Sequence, residues 1–125
     1  MIGEETIDGR YASWGQLPLD WSSAELPVVD AVPSMADAEL ENEAAVKGSI
    51  MLVSRGAVTF VEKVQRASAA GAAAVIVFNT DDKLIGMAGD DEFTSDIPVL
   101  MIKSSDAPRL RKHGSALLRE KKGEF

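Results

Sequence analysis

Three short runs of apolar residues dominate the second half of the chain, at residues 49–53, 73–78 and 98–102. Runs this short and this apolar are typical of strands that are covered on both faces of a sheet. Between the first two runs, apolar residues recur at helical spacing over residues 60–70, which predicts a helix that packs on the strands. A strand, a helix and a strand within about 30 residues predict a βαβ unit.

The predicted helix has recognisable ends. Thr59 precedes it and Glu62 follows three residues later, which is the capping-box pattern, and Gly71 supplies a left-handed stop. We expect Val64 to be buried together with Ile76 and Leu100, where the helix packs on the strands. The charged positions of the helix are expected to face solvent: Glu62, Lys63 and Arg66.

The remaining segments give weaker patterns. Short strands are predicted at residues 10–14 and 26–31, and residues 36–45 predict a short helix or a turn. A second helix is predicted at residues 105–112, stopped by Gly114, and a last strand at residues 116–118. Residues 79–96 form a long polar loop with five aspartates. Trp14 and Trp21 are expected to cover the core as lids, because the chain has few aromatic residues.

Composition and charge exclude several classes of function. The chain has 125 residues, 46% of them hydrophobic, which suits one folded domain with one core. Its net charge of −7 repels phosphate, so neither nucleic acid nor an anionic membrane surface is expected as a partner. The absence of cysteine excludes disulfides and thiolate zinc sites. No apolar run approaches the ~20 residues of a membrane span.

The order of these residues resembles the protease-associated (PA) domain family. The family pattern is a Gly-x-Ile-x-Leu-Val strand, an Arg-Gly turn, a Phe-x-x-Lys helix, a Gly-Ala pair and an apolar strand ending in Asn. The matching positions are Gly48, Ile50, Leu52, Val53, Arg55, Gly56, Phe60, Glu62, Lys63, Ala67, Ala70, Gly71, Ala72 and Asn79. Later and earlier parts also match, so the likeness covers residues 9–118.

The resemblance implies an α/β fold: a β-rich sandwich or open barrel with a βαβ core and two or three flanking helices. We therefore predict an N-terminal tail at residues 1–8, a single PA-like domain at residues 9–119, and a C-terminal tail or cloning remnant at residues 120–125. Secreted members often carry cysteines after the Arg-Gly turn and before the first strand of the pattern. This chain has Val58 and residues 35–38 there, without cysteine.

The resemblance also implies a function. PA domains bind substrates or cargo, cover an active site or mediate oligomer contacts, and they carry no catalytic residues. We therefore expect a non-catalytic module that binds a protein or peptide partner, without cofactor or metal, and a homodimer remains open. The alternative is a regulatory or substrate-gating domain of a larger hydrolase or membrane-anchored ligase. We expect a cytoplasmic protein if the chain is complete, and a lumenal or extracellular one if it is a fragment.

The first candidate site is the turn formed by Arg55 and Gly56, directly before a helix N-terminus. Unpaired backbone N–H groups and an arginine fork would suit an acidic side chain or a peptide terminus, and the resemblance implicates this turn in ligand contact. The alternative is that Arg55 pairs internally with an acid. The candidate ligand-binding residues lie in this turn and in the loop after Phe78: Arg55, Gly56, Thr59, Phe60, Asn79, Asp81, Asp82 and Met87.

Metal binding and catalysis have little support in the sequence. The aspartates of residues 79–96 lack the spacing of an EF-hand, which favours a solvated acidic loop over a calcium site. His113 is the only histidine, and its place in the last helical turn before Gly114 is explained by the helix dipole. There is no Gly-x-Ser-x-Gly elbow, and Gly56 alone does not make a dinucleotide fingerprint. We therefore predict that the chain is not an enzyme.

Overall fold

The computed structural model describes residues 7–14, 25–87, 89 and 94–116. Within those ranges, six strands form one curled, mixed sheet that is flanked by three helices. The elements are β1 (Arg10–Tyr11), β2 (Leu26–Asp30), α1 (Glu43–Val46), β3 (Ile50–Ser54), α2 (Phe60–Ala69), β4 (Ala74–Phe78), β5 (Val99–Ile102), α3 (Ala107–His113) and β6 (Ser115–Ala116). A single 3-10 turn, Ser104–Asp106, leads into α3. The predicted α/β class and the β3–α2–β4 unit are confirmed.

The strand order is β1-β5-β4-β3-β2-β6. The four central strands are parallel, and the two short outer strands pair antiparallel to their neighbours. In the register of the sheet, Ser54 lies beside Phe78, and Phe78 lies beside Ile102. The carboxyl ends of β3, β4 and β5 therefore meet at one edge.

The strands β3, β4 and β5 are buried on both faces, as their uninterrupted apolar sequences predict. One face carries Met51, Val53, Val75, Val77, Val99 and Met101, and with them α1, α2 and residues 84–87 form the first core cluster. The other face carries Ile50, Leu52, Ala74, Ile76, Leu100 and Ile102, and it packs with α3 in the second core cluster. One prediction is corrected here. Val64, Ile76 and Leu100 are all buried, but only Val64 lies on the α2 face.

The ends of α2 follow the sequence prediction closely. The Thr59 hydroxyl accepts a hydrogen bond from the backbone N–H of Glu62 at 3.1 Å, which is one half of a capping box. The Glu62 carboxylate instead pairs with Arg66, one turn further along the helix. At the other end Gly71 has φ +85, and the N–H groups of Gly71 and Ala72 bond to the last turn as in a Schellman motif.

The structure corrects the predicted orientation of Lys63. Its side chain is completely buried, although its neighbours on α2 suggested a solvent-facing position. The helical spacing from Phe60 and Val64 places Lys63 at the margin of the apolar stripe, facing the turn that precedes the helix. The buried ammonium has partners there, as the site geometry shows.

The segments outside the βαβ unit are shorter than predicted. Where a short helix or turn was predicted at residues 36–45, the helix begins at Glu43 and ends at Val46, and β1 has two residues. The half-buried Trp14 packs against the first core cluster, as expected of a lid. Trp21 and residues 117–118 of the predicted last strand lie outside the described residues. Residues 84, 85 and 87 pack against the first core cluster. This part of the predicted polar loop therefore makes apolar contacts.

Candidate functional site

Three chain segments leave the sheet at the common edge of β3, β4 and β5. The residue that follows each strand is polar: Arg55, Asn79 and Lys103. The backbone ladder continues into these residues, because Arg55 N–H bonds to the Phe78 carbonyl at 3.1 Å and Asn79 N–H bonds to the Ile102 carbonyl at 3.0 Å. The Arg55 turn (residues 55–58) and Asn79, the first residue of the loop after β4, are therefore neighbours.

Asn79 is the centre of this edge. Its side chain is buried, at 1% exposure, and all of its hydrogen-bonding groups are satisfied. The amide oxygen accepts from Arg55 Nη1 at 2.9 Å and from the backbone N–H of Thr80 at 2.8 Å. The amide nitrogen donates to Asp81 Oδ1 at 3.1 Å and to the Lys83 carbonyl at 2.7 Å. Only an amide side chain supplies two donors and two acceptors in this arrangement.

Arg55 is half-buried and is held at one end of its guanidinium by the Asn79 amide. The sequence left open an internal pairing with an acid, and the partner is an amide instead. The other guanidinium N–H groups of Arg55 make no hydrogen bond with any of the described residues. A planar guanidinium that is oriented by one bond and keeps further N–H donors can donate hydrogen bonds to a carboxylate.

The ammonium of Lys63 fixes the backbone of the Arg55 turn. Lys63 Nζ donates to the Gly56 carbonyl at 2.7 Å and to the Met35 carbonyl at 2.6 Å. Burial lowers the pKa of Lys63 below its ordinary value, while Asp37 and Glu62 act in the opposite direction. This contact was not predicted from the sequence. The feature that could have indicated it is the Lys of the family's Phe-x-x-Lys pattern.

The loop after β4 is anchored to the turn before α3. Asp81 accepts from the backbone N–H of Lys83 through its side chain, and its carbonyl accepts from Ser104 N–H at 3.0 Å. The exposed Asp82 accepts from Ser105 N–H at 2.9 Å, and this hydrogen bond lowers the pKa of Asp82. Both aspartates are therefore engaged in the local structure.

The remaining predicted site residues have structural roles. Thr59 caps α2, and Phe60 is half-buried against the first core cluster. Met87 is only 7% exposed, and its carbonyl accepts from Trp14 Nε1 at 3.0 Å. We therefore place Met87 in the core rather than at a ligand surface.

A shallow pocket lies at the opposite end of α2 from the Arg55 turn. Its volume is about 220 Å³, and its lining is formed by Gln65, Ser68, Ala69, Thr94, Ser95 and Asp96. None of these lining residues is among the candidate ligand-binding residues predicted from the sequence. Among the described residues no group of three or more potential metal ligands occurs, and Asp90, Asp91 and Glu92 lie outside them.

Comparison with known proteins decides the family. The model of the PA domain family matches residues 24–110. The chain belongs to the PA domain family. Among curated proteins, this PA domain is 41% identical over 76 residues to Aminopeptidase YwaD of Bacillus subtilis (strain 168), covering 60% of the chain and 17% of that protein. It is 34% identical to Signal peptide peptidase-like 5 of Arabidopsis thaliana, covering 97% of the chain and 23% of that protein.

Solved structures confirm the fold. The PA domain superposes on BSAP, a zinc aminopeptidase from Bacillus subtilis, with a TM-score of 0.77 and 29% identity, covering 94% of the chain and 28% of that enzyme. An aminopeptidase from Aneurinibacillus sp. strain AM-1 shares the fold with a TM-score of 0.67. The chain thus spans less than a third of the length of these relatives. No helix over the described ranges combines the length and hydropathy of a membrane span.

Proposed function

We propose that this PA domain is a non-catalytic module that binds protein or peptide segments at the Arg55 turn. The observation that carries the proposal is the half-buried guanidinium of Arg55, oriented by Asn79 and left with further donors. Such a group suits an acidic side chain or a C-terminal carboxylate, because two parallel N–H···O bonds fit the carboxylate geometry. Contacts between copies of the chain are a second use of the same surface.

The charge of the whole domain favours a local mode of recognition. At a net charge of −7 the domain repels acidic segments at long range. An acidic ligand must therefore be held by short-range hydrogen bonds at the Arg55 turn. Salt weakens the attraction between the exposed charges there, because the screening length is ~8 Å at physiological ionic strength. We expect binding to weaken as salt is raised.

The test is a peptide-display selection on the 125-residue chain, compared with Arg55→Ala and Arg55→Lys. For selected peptides we expect Arg55→Ala to weaken affinity about 10- to 100-fold, as for the loss of a charge-assisted bond. Arg55→Lys should also weaken it, because a point charge lacks the fork. Arg66→Ala, at the far end of α2, serves as the control, and circular dichroism checks folding.

Two outcomes would overturn the proposal. Identical peptide profiles for the parent chain and Arg55→Ala would remove the Arg55 turn and move the search to the 79–95 loop. Capture of no peptide by the folded parent chain would contradict a peptide-binding module altogether.

A second candidate function is substrate gating inside a larger hydrolase. It is favoured by the peptidase relatives, of which this domain covers 17% to 28%. In a longer protein that contains this domain, gating predicts that Arg55→Ala changes kcat/KM for long peptide substrates and leaves short ones unaffected. Equal effects on both lengths would contradict gating. For a domain of such a longer protein we propose a lumenal or extracellular setting.

A further inference from the structure

One ammonium group connects two separate turns at the edge of the candidate site. Lys63 Nζ bonds to the carbonyls of Met35 and Gly56, and the lysine side chain is completely buried. Each of these carbonyls belongs to the peptide group that precedes a left-handed alanine. Ala36 has φ 51 and Ala57 has φ 69. We call residues 33–36 the Met35 turn.

Left-handed alanines need support from their surroundings. The Cβ of an L-residue crowds the following carbonyl at positive φ, so such a conformation persists only where other contacts fix it. A hydrogen bond to the preceding carbonyl fixes the plane of the peptide group, and rotation of that plane is what relaxes the alanine. The two turns also approach each other, because a Cβ placed on Gly56 would lie 3.1 Å from Met35 Sδ.

We propose that Lys63 is a positioning residue that holds the Met35 turn and the Arg55 turn together as one unit. By fixing the Gly56 carbonyl, the ammonium sets the direction in which the chain leaves Arg55. Lys63 thereby sets the orientation of the Arg55 side chain that faces the ligand, and it does not contact the ligand itself. The consequence for binding rests on the proposed function, whereas the consequence for the two turns does not.

Nuclear magnetic resonance of the 125-residue chain tests the structural part. In Lys63→Met, which removes all donors, we expect the backbone carbon shifts of Ala36 and Ala57 to lose their left-handed signature together. The shifts of Val75 in β4 should stay in place, and Lys112→Met, an exposed lysine of α3, should change neither turn. Unchanged alanine shifts, or a change in one turn only, would overturn the proposal.

A glycine variant covers the case in which Lys63→Met does not fold. Glycine adopts positive φ without support, so Lys63→Met combined with Ala36→Gly and Ala57→Gly is expected to fold. Failure of this triple variant to fold would contradict the proposal, because Lys63 would then support the core rather than the turns.

The binding part uses peptides selected on the parent chain. If Lys63→Met leaves the competent turn populated to about a tenth, affinity falls about tenfold, and the glycine replacements should restore part of it. An unchanged affinity in folded Lys63→Met would overturn the positioning of Arg55. If the parent chain selects no peptide, the proposed function fails, and the resonance experiment still decides whether Lys63 holds the two turns.

Discussion

A single amide side chain, that of Asn79, joins the end of β3 to the loop that follows β4. It contacts Arg55 from the β3 end and Asp81 and Lys83 from its own loop. Because the amide is buried, each of its four bonds replaces a bond to water, and an unmatched group there is costly. The residue-level chemistry of the site therefore depends on two donors and two acceptors in one place.

We predict that Asn79→Asp destabilises the domain although the two side chains have the same shape. The carboxylate keeps the bond from Arg55, but it loses both donors and faces Asp81 and the Lys83 carbonyl. We expect the free energy of unfolding to fall by about 2–3 kcal/mol in urea denaturation. Asn42→Asp is the control, because water can replace the hydrogen bonds of the Asn42 amide. It should lower the free energy of unfolding by about 1 kcal/mol or less. Equal losses would contradict the role assigned to Asn79.

The sequence predicts some residues of this edge and misses another for a physical reason. Asn79 and Arg55 follow buried strands, so their place at the common edge follows from parallel pairing alone. The burial of Lys63 does not follow from helical periodicity, because a lysine is normally counted as polar and exposed. Its position depends on two carbonyls presented by turns that are distant in the chain, and no local pattern shows them.

At the scale of elements, the predictions are accurate where the pattern is local. The strands β3, β4 and β5, the helix α2 and its Thr59 and Gly71 ends are confirmed within one or two residues. The second helix is confirmed at Ala107–His113, with Gly114 at φ 75 as its stop. Which face a strand residue takes was less predictable. Ile76 and Leu100 lie opposite α2 because the face depends on where α3 packs, and apolar runs carry no alternation to show it.

The junction between the β4 loop and α3 gives a prediction for pH dependence. The Ser105 N–H holds the pKa of Asp82 below its usual value of 3.8. The folded state therefore binds fewer protons than the unfolded state as pH falls below that value. Stability from this contact is fully present above it and is lost as pH falls through the folded pKa.

We expect Asp82→Asn to flatten the dependence of Tm on pH as the pH is lowered through 3.8, the ordinary pKa of an aspartate. The exposed Asp8→Asn removes the same charge elsewhere and is the control for the loss of one negative charge. A carbon resonance of Asp82 that titrates at or above 3.8 would contradict the assignment.

At the scale of the whole molecule, the sheet separates two hydrophobic cores, one on each of its faces. The first core cluster includes Val64 of α2, and the second includes Ile76 and Leu110. Every central strand contributes side chains to both, so neither face can be exposed without disturbing the backbone that supports the other. We therefore expect the described domain to unfold as one cooperative unit, without a separate step for each face.

Two cavities on opposite faces test this expectation. Ile76→Ala should lower the free energy of unfolding by about 2–5 kcal/mol, and Val64→Ala by about 2 kcal/mol, through lost burial and an unfilled cavity. Because the two side chains face opposite cores, the double variant should show the sum within about 0.5 kcal/mol.

In each variant, tryptophan fluorescence and far-ultraviolet circular dichroism should report one coincident transition in urea. Val32→Ala, at the exposed Val32, should change stability by less than about 0.5 kcal/mol. Separate transitions for the two signals would mean that the two faces unfold independently, and a loss of under about 0.5 kcal/mol in Ile76→Ala would contradict the burial of β4.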